Sequence, residues 1–527
     1  MVSKHILIHV VPAWGHNKPV TALAVFIVRA RPDIIVTVLT TNLSYEKFMG
    51  ELKLKLTQGE FDALITRIRV IDIAGPNVKV HPLAPLPEFA TAYAALYNGQ
   101  SLTCNSSGKI FPGLPRPKVA IIDNFSGYAY DDIRAISQKT VPIVSLLTVP
   151  AGTIVRIFGP RRFGGTAPVE MEIEEGRNIA KAKLNAALKA ISQAPPSNAG
   201  PKPVPTPAVS DYNHEDFEVI DMPGAPPMYS HEIAPQVPMP VVEIFRAMGQ
   251  IYTSEADGAI DASVTAFDGE MMGALKGWLE PLGQPVYAMA PLALPMLKGS
   301  EPNDVNVVNF LDKMCTQFGK RSLIYISFGT FFTPSEPEKL WTMINTLIAT
   351  QTPFILTHAS PLFQITEEEK SLIHNSGVGM ALAWSPQELI LTHPVTGWFI
   401  THAGWNSVLE ALAYKIPLIL WPMSADQPIN AATLTLIHKA AFELIGVRAG
   451  TEGTKPLLRF KDTGYKPSFT VEGVKKEFEL LLEKIKGEEG KLVRRNFEVL
   501  SDKVGKSWDD GEESKTDLDK FLAKFID

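Results

Sequence analysis

The sequence predicts an α/β protein with two Rossmann-like domains in tandem, and three features lead there. The chain's 527 residues exceed what one ordinary core serves, since domains run to roughly 100–200 residues. Short apolar runs alternate with helical patterns, the signature of strands fed by crossover helices into parallel sheets. These runs fall into two series, which implies two sheets and not one large one.

The first series opens at Ile6–Val11. This segment resembles a secretory leader only superficially. His5 and His9 interrupt it, Pro12 stops it and no small-residue cleavage site follows, so it reads as a first strand. Ile34–Thr40, Ile68–Ile73, Val119–Ile122 and Ile143–Leu147 continue the series. Between Ser192 and Asp211 lies a Pro-rich stretch that can form neither a helix nor an inner strand; it is expected as a surface insertion at about 193–211. The second series is Leu323–Ser327, Phe354–Thr357, Gly379–Ala383, Trp398–Thr401 and Leu418–Trp421. After Glu472 only helical patterns remain, at Val474–Lys484, Lys491–Val504 and Thr516–Phe525. The expected division is therefore a domain at 1–292, a linker at 293–306, a domain at 307–505 and a C-terminal helix at 506–527.

Composition narrows the function classes. The chain is 45% hydrophobic and 20% charged, ordinary for a protein with a sizeable core. Its formal charge of −6 supplies no basic surplus to displace phosphate counterions, so no nucleic-acid partner is expected, although one nucleotide can still bind locally. Two cysteines, Cys104 and Cys315, show no zinc spacing and suit a reducing, cytoplasmic compartment. No run of about 18 apolar residues occurs, so no transmembrane segment is expected and the protein reads as soluble.

One segment carries chemistry on its own residues. The strand Trp398–Thr401 runs into His402-Ala-Gly, and a helix is expected to open at Asn406-Ser407. A strand feeding a helix N-terminus through a small-residue turn presents backbone N–H groups and a positive dipole end to an anion. Gly404 would let a diphosphate approach the backbone, and His402 could donate a charge-assisted hydrogen bond to it. Glu410 falls three residues after Ser407 on the same helical face, where a carboxylate could accept both hydroxyls of a ribose. Trp384 could stack on a base, and Asp426-Gln427 close the next strand at the carboxyl edge where open α/β sheets bind ligands. Taken singly, each of these residues also has a structural reading: core, turn or solvated helix face.

Trp384–Gln427 as a whole resembles the forty-four-residue donor-binding signature of family 1 UDP-glycosyltransferases, best known from plant secondary metabolism. The match runs without a gap through Trp384, Pro386, Gln387, His393, Phe399, Thr401, His402, Gly404, Trp405, Asn406, Ser407, Glu410, Pro417, Trp421, Pro422, Asp426 and Gln427. It departs at Ala403, where the pattern usually has Cys, and at Lys415-Ile416, where it usually has Gly-Val. The resemblance implies a GT-B fold, with two Rossmann-like domains facing a cleft and C-terminal helices closing back on the first. It implies that Trp384 stacks on uracil, Gln387 lies by the nucleoside and Glu410 binds the ribose. His402, Asn406 and Ser407 would hold the diphosphate, while Trp405, Asp426 and Gln427 would face the sugar. Gln427 leans toward glucose, so UDP-glucose is the expected donor. Ser327-Phe-Gly-Thr330 is similar to the family's Phe-Gly-Ser/Thr turn, which puts Gly329 and Thr330 by the phosphates.

Glycosyl transfer to a hydroxyl also needs a base, which typically contributes roughly 10²–10⁴-fold. Gly15-His16 follows the first strand at once, Gly15 permitting a tight turn, and Asp123 ends the strand that begins at Val119. From the residues alone His16 could be a structural or surface histidine, and Asp123 a helix N-cap. Both resemble the family's Gly-His and strand-Asp-x-Phe motifs, whose His is the general base and whose Asp orients it. The resemblance therefore implies one-step inverting transfer of a hexose by a monomer, with UDP-sugar as co-substrate and without a cofactor or metal. It makes 1–292 the acceptor-binding domain and 307–505 the UDP-sugar-binding domain. The only Asp-x-Asp, Asp517-Leu-Asp519, is expected on a solvated helix face.

Two rival classes share the fold. A dinucleotide-dependent oxidoreductase would want Gly-x-Gly-x-x-Gly after a strand, and none occurs. A non-catalytic UDP-sugar binder would keep the donor segment but has no use for His16 and Asp123. The acceptor, a small lipophilic or aromatic hydroxyl compound, is left to the Thr153–Pro240 region, which matches no family motif.

Overall fold

The computed structural model describes residues 3–75, 86–193, 217–237, 241–295 and 304–527. All but the first residue of the expected Pro-rich insertion, and most of the expected linker, lie outside them. The chain divides into two compact units. The first comprises Met1–Tyr212, Met239–Ser300 and Ser507–Asp527, and the second Asn213–Pro238 and Glu301–Lys506.

The first unit holds a seven-stranded sheet built from β1 (Lys4–His9), β2 (Ile34–Thr40), β3 (Ile68–Asp72), β4 (Val119–Asp123), β5 (Ile143–Leu147), β6 (Gly258–Asp261) and β7 (Val286–Ala288). The order across it is β7-β6-β5-β4-β1-β2-β3, every pair parallel. Helices cover both faces of such a sheet, which is why its strands are apolar almost throughout. Ile6, Ile8, Val36 and Val38 pack with Leu23 and Ile27 of α1 (Trp14–Ala30) and with Phe521 and Leu522 of the C-terminal helix Glu513–Phe525. Leu7, Leu39, Ala120 and Ile122 face the opposite way, onto Phe89 and onto Tyr130 and Ile133 of α2 (Gly127–Ser137).

β6 and β7 extend the sheet beyond the five strands expected. The C-terminal helix docks on their edge through side chains that cap backbone donors. Asp517 Oδ2 accepts from Ala288 N–H at 2.9 Å, and Ser514 Oγ accepts from Ala290 N–H at 2.9 Å. Asp517, expected on a solvated face, is thus buried as a backbone acceptor, whereas Asp519 stays exposed beside Lys515.

The second unit holds β8 (Leu323–Ser327), β9 (Phe354–Thr357), β10 (Gly379–Leu382), β11 (Thr396–Thr401), β12 (Leu418–Leu420) and β13 (Ala441–Glu443), in the parallel order β10-β9-β8-β11-β12-β13. The short helix α3 (Gln387–Thr392) follows β10, and α4 (Trp405–Tyr414) follows β11. Of the closing helices, α5 (Val471–Lys484) puts Phe478 and Leu481, and α6 (Glu488–Gly505) puts Val493, into this unit's core. Only the chain after Lys506 returns to the first unit.

Residues 217–237, expected in the first domain, fall in the second unit. Their polar groups find partners there. Gln236 Nε2 donates to Val447 O at 3.0 Å, Ala449 N–H donates to Pro235 O at 3.0 Å, and Glu232 Oε1 accepts from Leu458 N–H at 2.8 Å. Among the described residues no helix is long and apolar enough to cross a membrane.

Candidate active site

Each sheet has a switch point, where the first strand's neighbours lead away in opposite directions and ligands bind at the strands' carboxyl ends. In the first unit this point lies between β1 and β4, which pair from Ile6–Val119 to His9–Ile122. The chain leaves β1 and enters α1 at Trp14, so Gly15 and His16 stand in the first turn of that helix, not in a turn before it. Asn17 ties the approach together, its amide donating to Val11 O and Ala13 O, both at 2.8 Å.

Asp123 is the last residue of β4 and is fully buried. Its Oδ1 accepts from Phe125 N–H at 2.9 Å, and its Oδ2 lies 2.7 Å from His16 Nδ1. The N-cap position of α2 belongs to Ser126, so the capping alternative for Asp123 falls away. An ionised carboxylate can only accept, so a hydrogen bond across this contact requires the imidazole proton on Nδ1 and leaves the lone pair on Nε2. Thr148, just past the end of β5, brings Oγ1 to 3.1 Å from the same Nδ1. Sequence reasoning missed it; the available signal was its place at a strand's carboxyl end one strand over from Asp123. The Phe125 ring stands edge-on to His16, with centroids 5.4 Å apart, and continues into Phe158 and Phe245 at 5.7 and 4.9 Å.

In the second unit the switch point lies between β8 and β11, which pair up to Ser327–Thr401. The turns after these two strands interlock around His402. A Cβ on Gly404 would stand 2.4 Å from His402 Nε2, and one on Gly329 would stand 2.9 Å from Cε1, so both turns need glycine against this ring. The backbone reversal after β11 is made elsewhere, however. Ala403 has φ +69°, whereas Gly404 has φ −61° and serves as N-cap of α4, which begins at Trp405, one residue before the expected start. Asn406 and Ser407 lie half-buried in that first turn.

His402 is buried, and burial lowers its pKa to about 4. At neutral pH the ring is therefore neutral, and the charge in a hydrogen bond donated to a phosphate would be the anion's. Asp426 was expected to face a sugar. Its Oδ2 accepts from Trp405 N–H at 3.0 Å and from Asn430 Nδ2 at 2.7 Å, satisfying the first N–H of α4. Gln427 Oε1 accepts from Met423 and Ser424 N–H at 2.9 and 3.0 Å, so its carbonyl end is turned onto its own loop. Trp405 is buried, while Thr330 is exposed.

Trp384, two residues past β10, is 56% exposed, a costly display for a tryptophan and one that suits a stacking platform. Gln387 opens α3 and donates from Nε2 to Glu410 Oε2 at 2.5 Å, so the two residues expected around a nucleoside are in contact.

A family model described as UDP-glucoronosyl and UDP-glucosyl transferase matches residues 303–453, the stretch that contains this second set of residues. Over 524 residues, 94% of each chain, the protein is 24% identical to UDP-glycosyltransferase eriJ of Hericium erinaceus. Over 224 residues, 42% of each chain, it is 31% identical to flavonol 3-O-glucosyltransferase F3GT2 of Actinidia chinensis var. chinensis. Among solved structures, a ugt transferase from Siraitia grosvenorii in complex with UDP superposes with a TM-score of 0.65 at 18% identity, covering 99% of this chain and 100% of that one. Phytolacca americana UGT2 complexed with UDP-2fluoro-glucose and pterostilbene gives 0.62 at 18% identity, with all of both chains covered. At that identity the likeness is one of fold, and the fold is GT-B.

Proposed function

The chain belongs to family 1 of the UDP-glycosyltransferases, and on that premise we propose that it transfers glucose from UDP-glucose to a hydroxyl of a small lipophilic or aromatic acceptor, with inversion. The observation that carries the catalytic part is the contact between His16 Nδ1 and Asp123 Oδ2 at 2.7 Å. His16 Nε2 takes the acceptor's hydroxyl proton as that oxygen bonds to the anomeric carbon. The bond from the anomeric carbon to the phosphate oxygen breaks, and its electron pair leaves with UDP. Asp123 stabilises the imidazolium that forms and holds its tautomer.

The leaving diphosphate is received by the first turn of α4 and by His402, with Gly329 and Thr330 alongside. In this reading these groups carry the charge without a metal ion. Trp384 stacks on uracil, and Gln387 and Glu410 take the ribose. The Gln427 amide nitrogen, its carbonyl being engaged with its own loop, addresses the sugar with Asp426 and Trp405. The glucose assignment leans on Gln427 and on relatives named as 3-O-glucosyltransferases. The ring cluster Phe125, Phe158 and Phe245 beside His16 favours an apolar acceptor face. Free Cys104 and Cys315 suit a cytoplasmic enzyme, which we take to act as a monomer.

The test is a screen of UDP-sugars against phenolic, terpenoid and sterol acceptors, read by mass. A hexose added from UDP-glucose with EDTA present is the expected result. UDP binding without transfer to any acceptor would instead favour a non-catalytic binder.

A further inference from the structure

Tyr325 sits in β8 with no solvent exposure, its ring stacked on Phe399 of β11 at 4.7 Å. Its hydroxyl joins two parts of the donor segment. Ser385 Oγ lies 2.7 Å from it, and Gln387 Oε1 accepts its hydrogen at 3.1 Å. Gln387 Nε2 in turn donates to Glu410 Oε2 at 2.5 Å.

The direction of every link follows from the last one. A carboxylate only accepts, so the amide nitrogen of Gln387 must face Glu410 and its oxygen must face Tyr325. The single phenolic hydrogen is then committed to Gln387, and Ser385 must donate to Tyr325. Burial raises the Tyr325 pKa, so the hydroxyl stays protonated and able to donate at neutral pH. Without that hydroxyl the Gln387 oxygen loses the donor that anchors it, and the side chain, tied only to Glu410, can move together with the carboxylate it holds.

We propose that Tyr325 is a positioning residue for the donor: through Gln387 it holds the Glu410 carboxylate in the orientation that reads the ribose hydroxyls. This rests on the donor-site assignment above and adds a residue to it that touches no substrate. Its signature is selective, because the contacts to uracil and diphosphate do not depend on the Gln387 amide.

The test compares binding of UDP and 2′,3′-dideoxy-UDP to wild type and Tyr325→Phe by titration calorimetry. UDP should bind about tenfold more weakly to the variant and 2′,3′-dideoxy-UDP less than about twofold more weakly, so the preference for ribose collapses. In transfer assays the donor KM should rise with kcat at saturating donor unchanged. Equal losses for both nucleotides would mark a merely structural residue and overturn the proposal, as would no loss for either. Ser385→Ala, which removes the nearest of the hydroxyls around the Tyr325 oxygen, should shrink the preference about threefold; an unchanged preference there also overturns it, even if Tyr325→Phe fails to fold. A wild-type chain that binds neither nucleotide would instead overturn the donor-site assignment itself.

Discussion

Asp123→Asn exchanges one carboxylate oxygen for an amide nitrogen and should disable the base. Oδ1 of Asp123 is fixed by Phe125 N–H at 2.9 Å, and a backbone donor there demands an acceptor. Asparagine must therefore put its carbonyl oxygen on Phe125 and its amide nitrogen where Oδ2 now stands, 2.7 Å from His16 Nδ1. An amide N–H can be accepted only by an unprotonated Nδ1, so the imidazole proton moves to Nε2. The ring then shows the acceptor hydroxyl a donor in place of a lone pair. The expected loss is the contribution of a positioned base, roughly 10²–10⁴-fold in kcat, or about 2.7–5.4 kcal/mol in the barrier. Shape and burial are nearly unchanged, so UDP affinity and melting temperature should stay close to wild type. Initial rates of UDP release at saturating donor, with calorimetric UDP binding in parallel, measure both. A kcat within about threefold of wild type, with UDP binding intact, would refute the orienting role of Asp123.

Two further outcomes follow from backbone and burial. Ala403 holds φ +69°, where a Cβ is costly, so Ala403→Gly should stabilise the chain by ~0.5–1 kcal/mol, measured as a higher urea midpoint; a lower midpoint would contradict the strain. His5, His9 and His402 are buried with pKa values lowered to about 4 from 6.5, chiefly by desolvation. Between those values the unfolded chain binds more protons than the folded one. The stability they contribute is therefore complete above pH 6.5 and lost as pH falls toward 4, by up to ~3 kcal/mol per ring. The urea midpoint should fall between pH 7.5 and 5; a flat profile would mean these rings are not held neutral.

How much of this could be read from the chain depends on where the information lies. The ten expected strands all form: nine are apolar runs buried almost throughout, and Gly379–Leu382 is a half-buried edge strand. Gly258–Asp261, Val286–Ala288 and Ala441–Glu443 were missed because these short stretches are broken by Gly258, Asp261, Tyr287 and Glu443 and lack the continuous apolar run that marks Phe354–Thr357 or Leu418–Leu420. The grouping of 217–237 with the second unit was not legible because the partners Val447, Ala449 and Leu458 lie more than 200 residues away in sequence. In the site, composition and spacing suggested an anion turn at His402, and the family resemblance pointed to His16 and Asp123. The resemblance could not show that Ala403 takes the left-handed backbone, nor that Asp426 and Gln427 spend acceptor atoms on their own scaffold. Thr148, for all its place at a strand's carboxyl end, and Tyr325 could not be singled out for a similar reason. Their relevance comes from which strands pair, Asp123 with Leu146 and Ser327 with Thr401, and no local pattern encodes that.

The central claim is that one histidine turns a UDP-sugar site into a transferase, and His16→Ala tests it most directly. With UDP-glucose and an accepted hydroxyl compound, single-turnover product formation should drop by at least about 10²-fold, while the dissociation constant for UDP stays within about twofold. Wild-type turnover in His16→Ala would contradict the account.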